Sequence, residues 1–179
     1  MRKKLNPRLC YVGFKNQDGF TFIELILYIS LLTIILSALI PFAWNIIEGS
    51  VKSSAQQEVF GNARYVSEII KYEIRNSIGI NSISATSISL VNSVGANNPT
   101  VIDLSAGKIR IKKGAAAVVN LNSTDTNVTA LTFTNYTSGT NTTENIQFTF
   151  TIDDNYTGPR QEYQVPAVLV QGDAEVRSN

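Results

Sequence analysis

"DGFTFIELILYISLLTIILSALIPFAWNII" occupies residues 18–47, and how it is read decides the fold. From Leu25 to Ile47 no residue is charged. At about 1.5 Å per residue a helix over that run crosses a bilayer. Glu24 stands at the start of the run, five residues after Gly19. A carboxylate at bilayer depth costs roughly 2.5–3.5 kcal/mol, so its placement calls for a reason.

The flanking composition points to targeting. The chain has 179 residues, 15 Lys+Arg, 14 Asp+Glu and no His. Residues 1–19 hold Arg2, Lys3, Lys4, Arg8 and Lys15 against Asp18 alone, which leaves the remainder mildly acidic. A basic head before an apolar run is a targeting pattern, and basic flanks stay in the cytoplasm. The single cysteine, Cys10, lies in that head, so a chain that loses the head has no thiol and no disulfide.

The cleavage chemistry is unusual. A conventional secretory signal is cut after its apolar core, with small residues one and three positions before the cut. Ala38 is preceded two residues earlier by Leu36, and Ala43 by Pro41, so neither site fits. Gly19, ahead of the core, is the small residue in a plausible cutting position. A cut there keeps the span and leaves Phe20 as a positive amine at the membrane edge, with Glu24 about one helical turn deeper. A neighbouring subunit's terminal amine pairs with that carboxylate in only one axial register, a specifying role that buried polar groups can play.

These residues closely resemble the N-terminal signature of the type IV pilin superfamily, which includes pilins and the type II secretion and competence pseudopilins. The match runs through Gly19, Phe20, Thr21, Phe22, Ile23 and Glu24, behind a short basic leader and ahead of an apolar helix containing Pro41. The resemblance implies cleavage after Gly19 by a membrane aspartyl prepilin peptidase and N-methylation of Phe20. It places Glu24 on the family's assembly glutamate and Pro41 on its helix-kinking proline. It also implies partners: other pilin or pseudopilin subunits, a platform membrane protein, an assembly ATPase and membrane lipid. The implied location is a single-pass inner-membrane precursor with a cytoplasmic N-terminus, then a surface or periplasmic filament. Residues 62–80, NARYVSEIIKYEIRNSIGI, together with chain size resemble the J-type minor pseudopilins and related minor pilins. The cysteine pair that closes a C-terminal loop in many Gram-negative major pilins is missing, which leaves the fastening of that region open.

The rest of the chain reads as α+β: a long N-terminal helix, its first half transmembrane, with an antiparallel β-sheet packed on its second half. The expected divisions are a leader at 1–19, a helix at 20–80 with its membrane part at 20–47, and a β-rich domain at 81–179. Ile47, Val51, Ala55, Val59, Ala63, Val66, Ile70 and Ile74 recur every three or four residues among charged ones, the stripe of an amphipathic helix. After Gly79 the period becomes two. Ile109 and Ile111, Leu131 and Phe133, and Ile146 to Ile152 alternate with polar residues, as half-buried strands do. A polar loop around Gly139 joins the last two, and a further strand is expected over Glu162–Val170, with Pro166 at an edge or bulge.

Few residues carry other chemistry. Lys108, Arg110, Lys112 and Lys113 form a basic cluster that suits either phosphate contacts or a solvated strand edge. A tethered adhesin or nucleic-acid-binding module is therefore the alternative to a filament subunit. Asp153 and Asp154, with Asn155, fit a turn better than a Ca²⁺ site, because no glycine-centred ligand loop surrounds them. The Asn-x-Ser/Thr matches at Asn122, Asn127, Asn135, Asn141 and Asn155 follow from composition. No catalytic residue, metal ligand or cofactor motif stands out, and no enzyme is expected.

Overall fold

A computed structural model describes residues 19–137 and 144–176. The leader up to residue 18, with Cys10, and the loop around Gly139 and Asn141 lie outside the described residues. The chain divides into two compact units, Met1–Trp44 and Asn45–Asn179.

One helix, α1, runs over Phe22–Arg75. Its start follows from Thr21, whose Oγ1 accepts the Glu24 N–H at 3.3 Å, as an N-cap threonine three residues before a glutamate does. The chain continues helically through Pro41, Gly49 and Gly61. In the apolar segment the hydroxyls of Ser30, Thr33 and Ser37 donate to Leu27, Ile29 and Ile34 carbonyls at 2.7–2.8 Å. No hydroxyl there is left bare, as a lipid-facing helix requires. The helix ends at Arg75, short of residue 80, where the chain switches to strand pairing. Ser77 Oγ caps the end by donating to the Ile74 carbonyl at 2.6 Å.

In the second unit the sequence-derived stripe is buried from Val59 through Ala63, Val66, Ile70 and Ile74. Ala55 is partly covered. Ile47, at the head of the stripe, remains exposed. Two antiparallel sheets cover this stripe instead of one. The first contains β1 (Ser77–Ser84), β2 (Ser87–Asn92), β3 (Thr100–Ser105), β4 (Lys108–Lys113) and β5 (Val119–Asn120) in chain order. The second contains β6 (Thr126–Asn135), β7 (Asn145–Asp154) and β8 (Val168–Glu175). Backbone bonds join the sheets: Val128 N–H donates to the Gly107 carbonyl at 2.9 Å, and Phe133 N–H to the Ala85 carbonyl at 3.1 Å.

The β3–β4 connection is a two-residue hairpin with both central residues at positive φ, Ala106 at 49° and Gly107 at 72°. That mirror-image turn matches the strand twist. The alternating strands place Ile109 and Ile111 inside, along with Val128, Leu131 and Phe133, and Ile146, Phe148, Phe150 and Ile152.

The strand expected over Glu162–Val170 is displaced. A short 3₁₀ turn covers Gln161–Tyr163, and the strand is Val168–Glu175. Its inward positions are Val168 and Val170, partly buried against the core, and Gly172 and Ala174, both buried. Gly172 lies opposite Phe148, and a Cβ there would come 2.4 Å from the Phe148 ring. The alternation that Val168 and Val170 begin lapses at these small residues, which is why the strand's continuation to Glu175 is not visible in the sequence.

The C-terminal region is fastened without a disulfide. Asp154 accepts the Tyr156 N–H at 3.0 Å through Oδ1 and the Val165 N–H through Oδ2, clasping both ends of the intervening loop. Asn122 serves a similar function at the β5–β6 junction. Its Oδ1 accepts the Ile109 N–H at 2.9 Å while its amide donates to the Thr126 carbonyl at 3.1 Å.

Candidate functional site

The N-terminal segment brings three predicted residues together and adds a fourth. Gly19 has an ordinary backbone conformation, and a Cβ on it would meet nothing within 4 Å. The fold therefore gives no reason for glycine at this position. Phe20 is exposed, and its ring meets Tyr28 edge-on with centroids 6.2 Å apart. The Tyr28 hydroxyl donates to Glu24 Oε1 at 3.1 Å. Tyr28 was missed in the sequence, although its position four residues after Glu24 puts both on one helix face. Among the described residues Glu24 Oε2 has no hydrogen-bond partner, so one carboxylate oxygen stays open to an external cation.

Around this site the helix is apolar on every side. Leu25, Ile26, Leu27, Ile29, Leu31 and Leu32 are all exposed. This is the one helix among the described residues long and apolar enough to cross a membrane. Pro41 lies within it.

The basic cluster of β4 is largely used up within the chain. Lys108 Nζ donates to the carbonyls of Ser123 at 2.6 Å and Thr126 at 2.5 Å. Arg110 makes a two-pronged pair with Asp103, both bonds at 2.8 Å. The hydrogen bond to Asp103 raises the Arg110 pKa above its ordinary value, against opposition from burial. Lys113 pairs with the buried Glu73 at 2.6 Å. Of the four cations, only Lys112 has no hydrogen bond or ion pair among the described residues. An isolated lysine does not make a phosphate-binding stripe.

Asp154 is committed to the loop clasp described above, as a turn carboxylate is. Among the described residues Asp153 Oδ1 is buried without a hydrogen-bond partner. Among the described residues no group of three or more His, Cys, Asp or Glu is arranged to hold a metal ion. Asn122, one of the glycosylation-type matches, is buried with its side chain fully hydrogen-bonded.

Comparison with known proteins bears on the same segment. Residues 14–40 match the family model described as the prokaryotic N-terminal methylation motif. No curated protein and no solved structure matched the chain. The class this motif marks is structural rather than enzymatic, and its members interact with other pilins and with a prepilin peptidase. The long apolar helix and the sheets packed on its distal half have the pilin-like α+β arrangement, with the apolar part as membrane anchor. By its N-terminal segment this chain carries the methylation motif that marks the precursors of the type IV pilin and pseudopilin class.

Proposed function

We propose that this chain is a minor pilin or pseudopilin subunit, cut after Gly19, N-methylated at Phe20 and built into a type IV pilus-like or type II secretion-type filament. Residues 1–19 are the leader that is removed. Residues 20–47 hold the precursor in the inner membrane with its N-terminus in the cytoplasm, and residues 81–179 form the displayed β-domain. In the filament the apolar helices pack together, kinked at Pro41, and Glu24 fixes the register by accepting the terminal amine of a neighbouring Phe20. A platform membrane protein and an assembly ATPase drive insertion, and the J-type minor subunits are the subtype that residues 62–80 favour.

The observation that carries this reading is the pairing of Gly19 with Glu24. The glycine has open space around it and no conformational need, so the fold does not require it. The carboxylate keeps an oxygen free on a helix whose apolar side chains cover nothing in their own unit. Peptidase recognition and subunit pairing account for both. The nucleic-acid module loses support with the basic cluster, because Lys108, Arg110 and Lys113 are engaged internally.

The test is the N-terminus and intact mass of the protein isolated from its own membranes. The expected chain starts at Phe20 and is heavier by one methyl group. A chain starting at Met1, or beyond Ala38, overturns the reading. Glu24→Ala is expected to leave the protein in the membrane, correctly cut, and to abolish its recovery in sheared filaments.

A further inference from the structure

We infer that the cleft at the C-terminal end of α1 is a binding site for a neutral glycan, of monosaccharide to disaccharide size. The cleft measures about 350 Å³. That falls in the lower part of the range of roughly 300–1,000 Å³ over which small-molecule sites occur. One wall is the end of α1 with Tyr72, continued by Asn76 just past it. The other is the β2–β3 loop, with Ser93 and Asn97.

The chemistry of the lining selects the ligand. Its two charged residues, Glu73 and Lys113, are paired with each other at 2.6 Å, so the cleft offers no net charge to an ion. The side chains of Tyr72, Asn76, Ser93 and Asn97 make no hydrogen bond to other described residues. Amides and hydroxyls both donate and accept, as sugar hydroxyls do, and a lone charge does not. Tyr72 is 60% exposed and adds an aromatic face against which the C–H side of a pyranose ring can lie. Ile78 and Val94 are the only aliphatic lining residues, too few to seat the side chains of a peptide or the tail of a lipid.

The loop wall is built before any ligand arrives. Asn92 Oδ1 accepts the Val94 N–H at 3.0 Å, and Asn98 Oδ1 accepts the Asn92 N–H at 3.2 Å. Behind it Gly114, at φ 50°, lets the Ala96 carbonyl approach to within 2.2 Å of where a Cβ would stand. The loop that carries Ser93 and Asn97 is thus braced by hydrogen bonds of its own backbone to Asn92 and Asn98, which reduces the ordering cost of binding.

The test uses the full chain in a detergent without a sugar head group. Saturation-transfer NMR is run against glucose, galactose, mannose, N-acetylglucosamine and lactose. Transfer to at least one sugar is expected, with millimolar affinity. Tyr72→Ala and Asn97→Ala are each expected to weaken it by about two- to tenfold, the effect of losing a neutral contact. Lys112→Ala, outside the cleft, is expected to leave it unchanged. Asn76→Ala serves as the third cleft variant, since its side chain supports nothing else in the fold. No transfer to any of the five sugars overturns the assignment. So does transfer that survives all three cleft variants. None of these outcomes depends on cleavage after Gly19.

Discussion

The ion pair between Glu73 on α1 and Lys113 at the end of β4 predicts a strongly asymmetric mutational response. The Glu73 side chain is 4% exposed and the Lys113 side chain 37% exposed, with 2.6 Å between their charged atoms. Removing the lysine leaves a carboxylate buried without a partner, a change that costs about 3–5 kcal/mol. Lys113 keeps a third of its surface in water, so the pair is partly screened and the lower end, about 3 kcal/mol, applies to Lys113→Met. Removing the glutamate is milder, about 1 kcal/mol, because the freed ammonium can turn to solvent. The double change Glu73→Leu with Lys113→Met is expected to return close to the parent, since an apolar pair of similar volume replaces the ion pair. Thermal unfolding of the detergent-solubilised chain, followed by circular dichroism, reads this directly. At about 2–4 °C per kcal/mol, Lys113→Met lowers Tm by roughly 6–12 °C. Two single variants of equal cost that simply add in the double would refute the reasoning, because the pair would then carry no coupling.

Three other changes probe the rest of the fold. Gly172→Ala puts a Cβ 2.4 Å from the Phe148 ring and is expected to destabilise by about 1–3 kcal/mol in the same melt. Asp154→Asn exchanges one accepting oxygen for an amide that faces a donor N–H. It should cost about 1–3 kcal/mol and open the loop, so that trypsin cuts after Arg160 in the variant before it cuts the parent. Ala106→Gly relieves a non-glycine residue held at φ 49° and should raise Tm by the equivalent of about 1 kcal/mol.

What could be seen in the sequence follows from how locally each feature is encoded. The helix and the methylation motif at its head are legible because each rests on residues within a turn or two of one another. β4, β6 and β7 are legible because their alternation is strong in their own strand, as at Ile109 and Ile111. The second half of β8 is not, because its inner residues Gly172 and Ala174 are small where they meet Phe148 and Ile146 on β7. The roles of Lys108 and Asp154 are hidden for the same reason. Lys108 reaches carbonyls 15 to 18 residues away, and Asp154 one N–H 11 residues away. The division into two sheets depends on where β6 begins pairing with β7, which no single segment encodes.

The absent disulfide and the used-up basic cluster are two sides of one construction. In the second unit several charged side chains are turned inward as fasteners: Asp154 on its loop, Lys108 on its carbonyls, Glu73 with Lys113. A polar group so used has its partners inside the fold and recognises nothing outside it. Glu24 departs from this pattern. Tyr28 satisfies one of its oxygens and leaves the other open, ahead of a run from Leu25 to Ile47 that holds no charged residue. On the proposed reading that partial satisfaction lowers the penalty of holding a lone subunit in the membrane without removing it. The remaining penalty is relieved only when a second subunit supplies a positive charge at the right depth, which makes assembly favourable and sets its register at once.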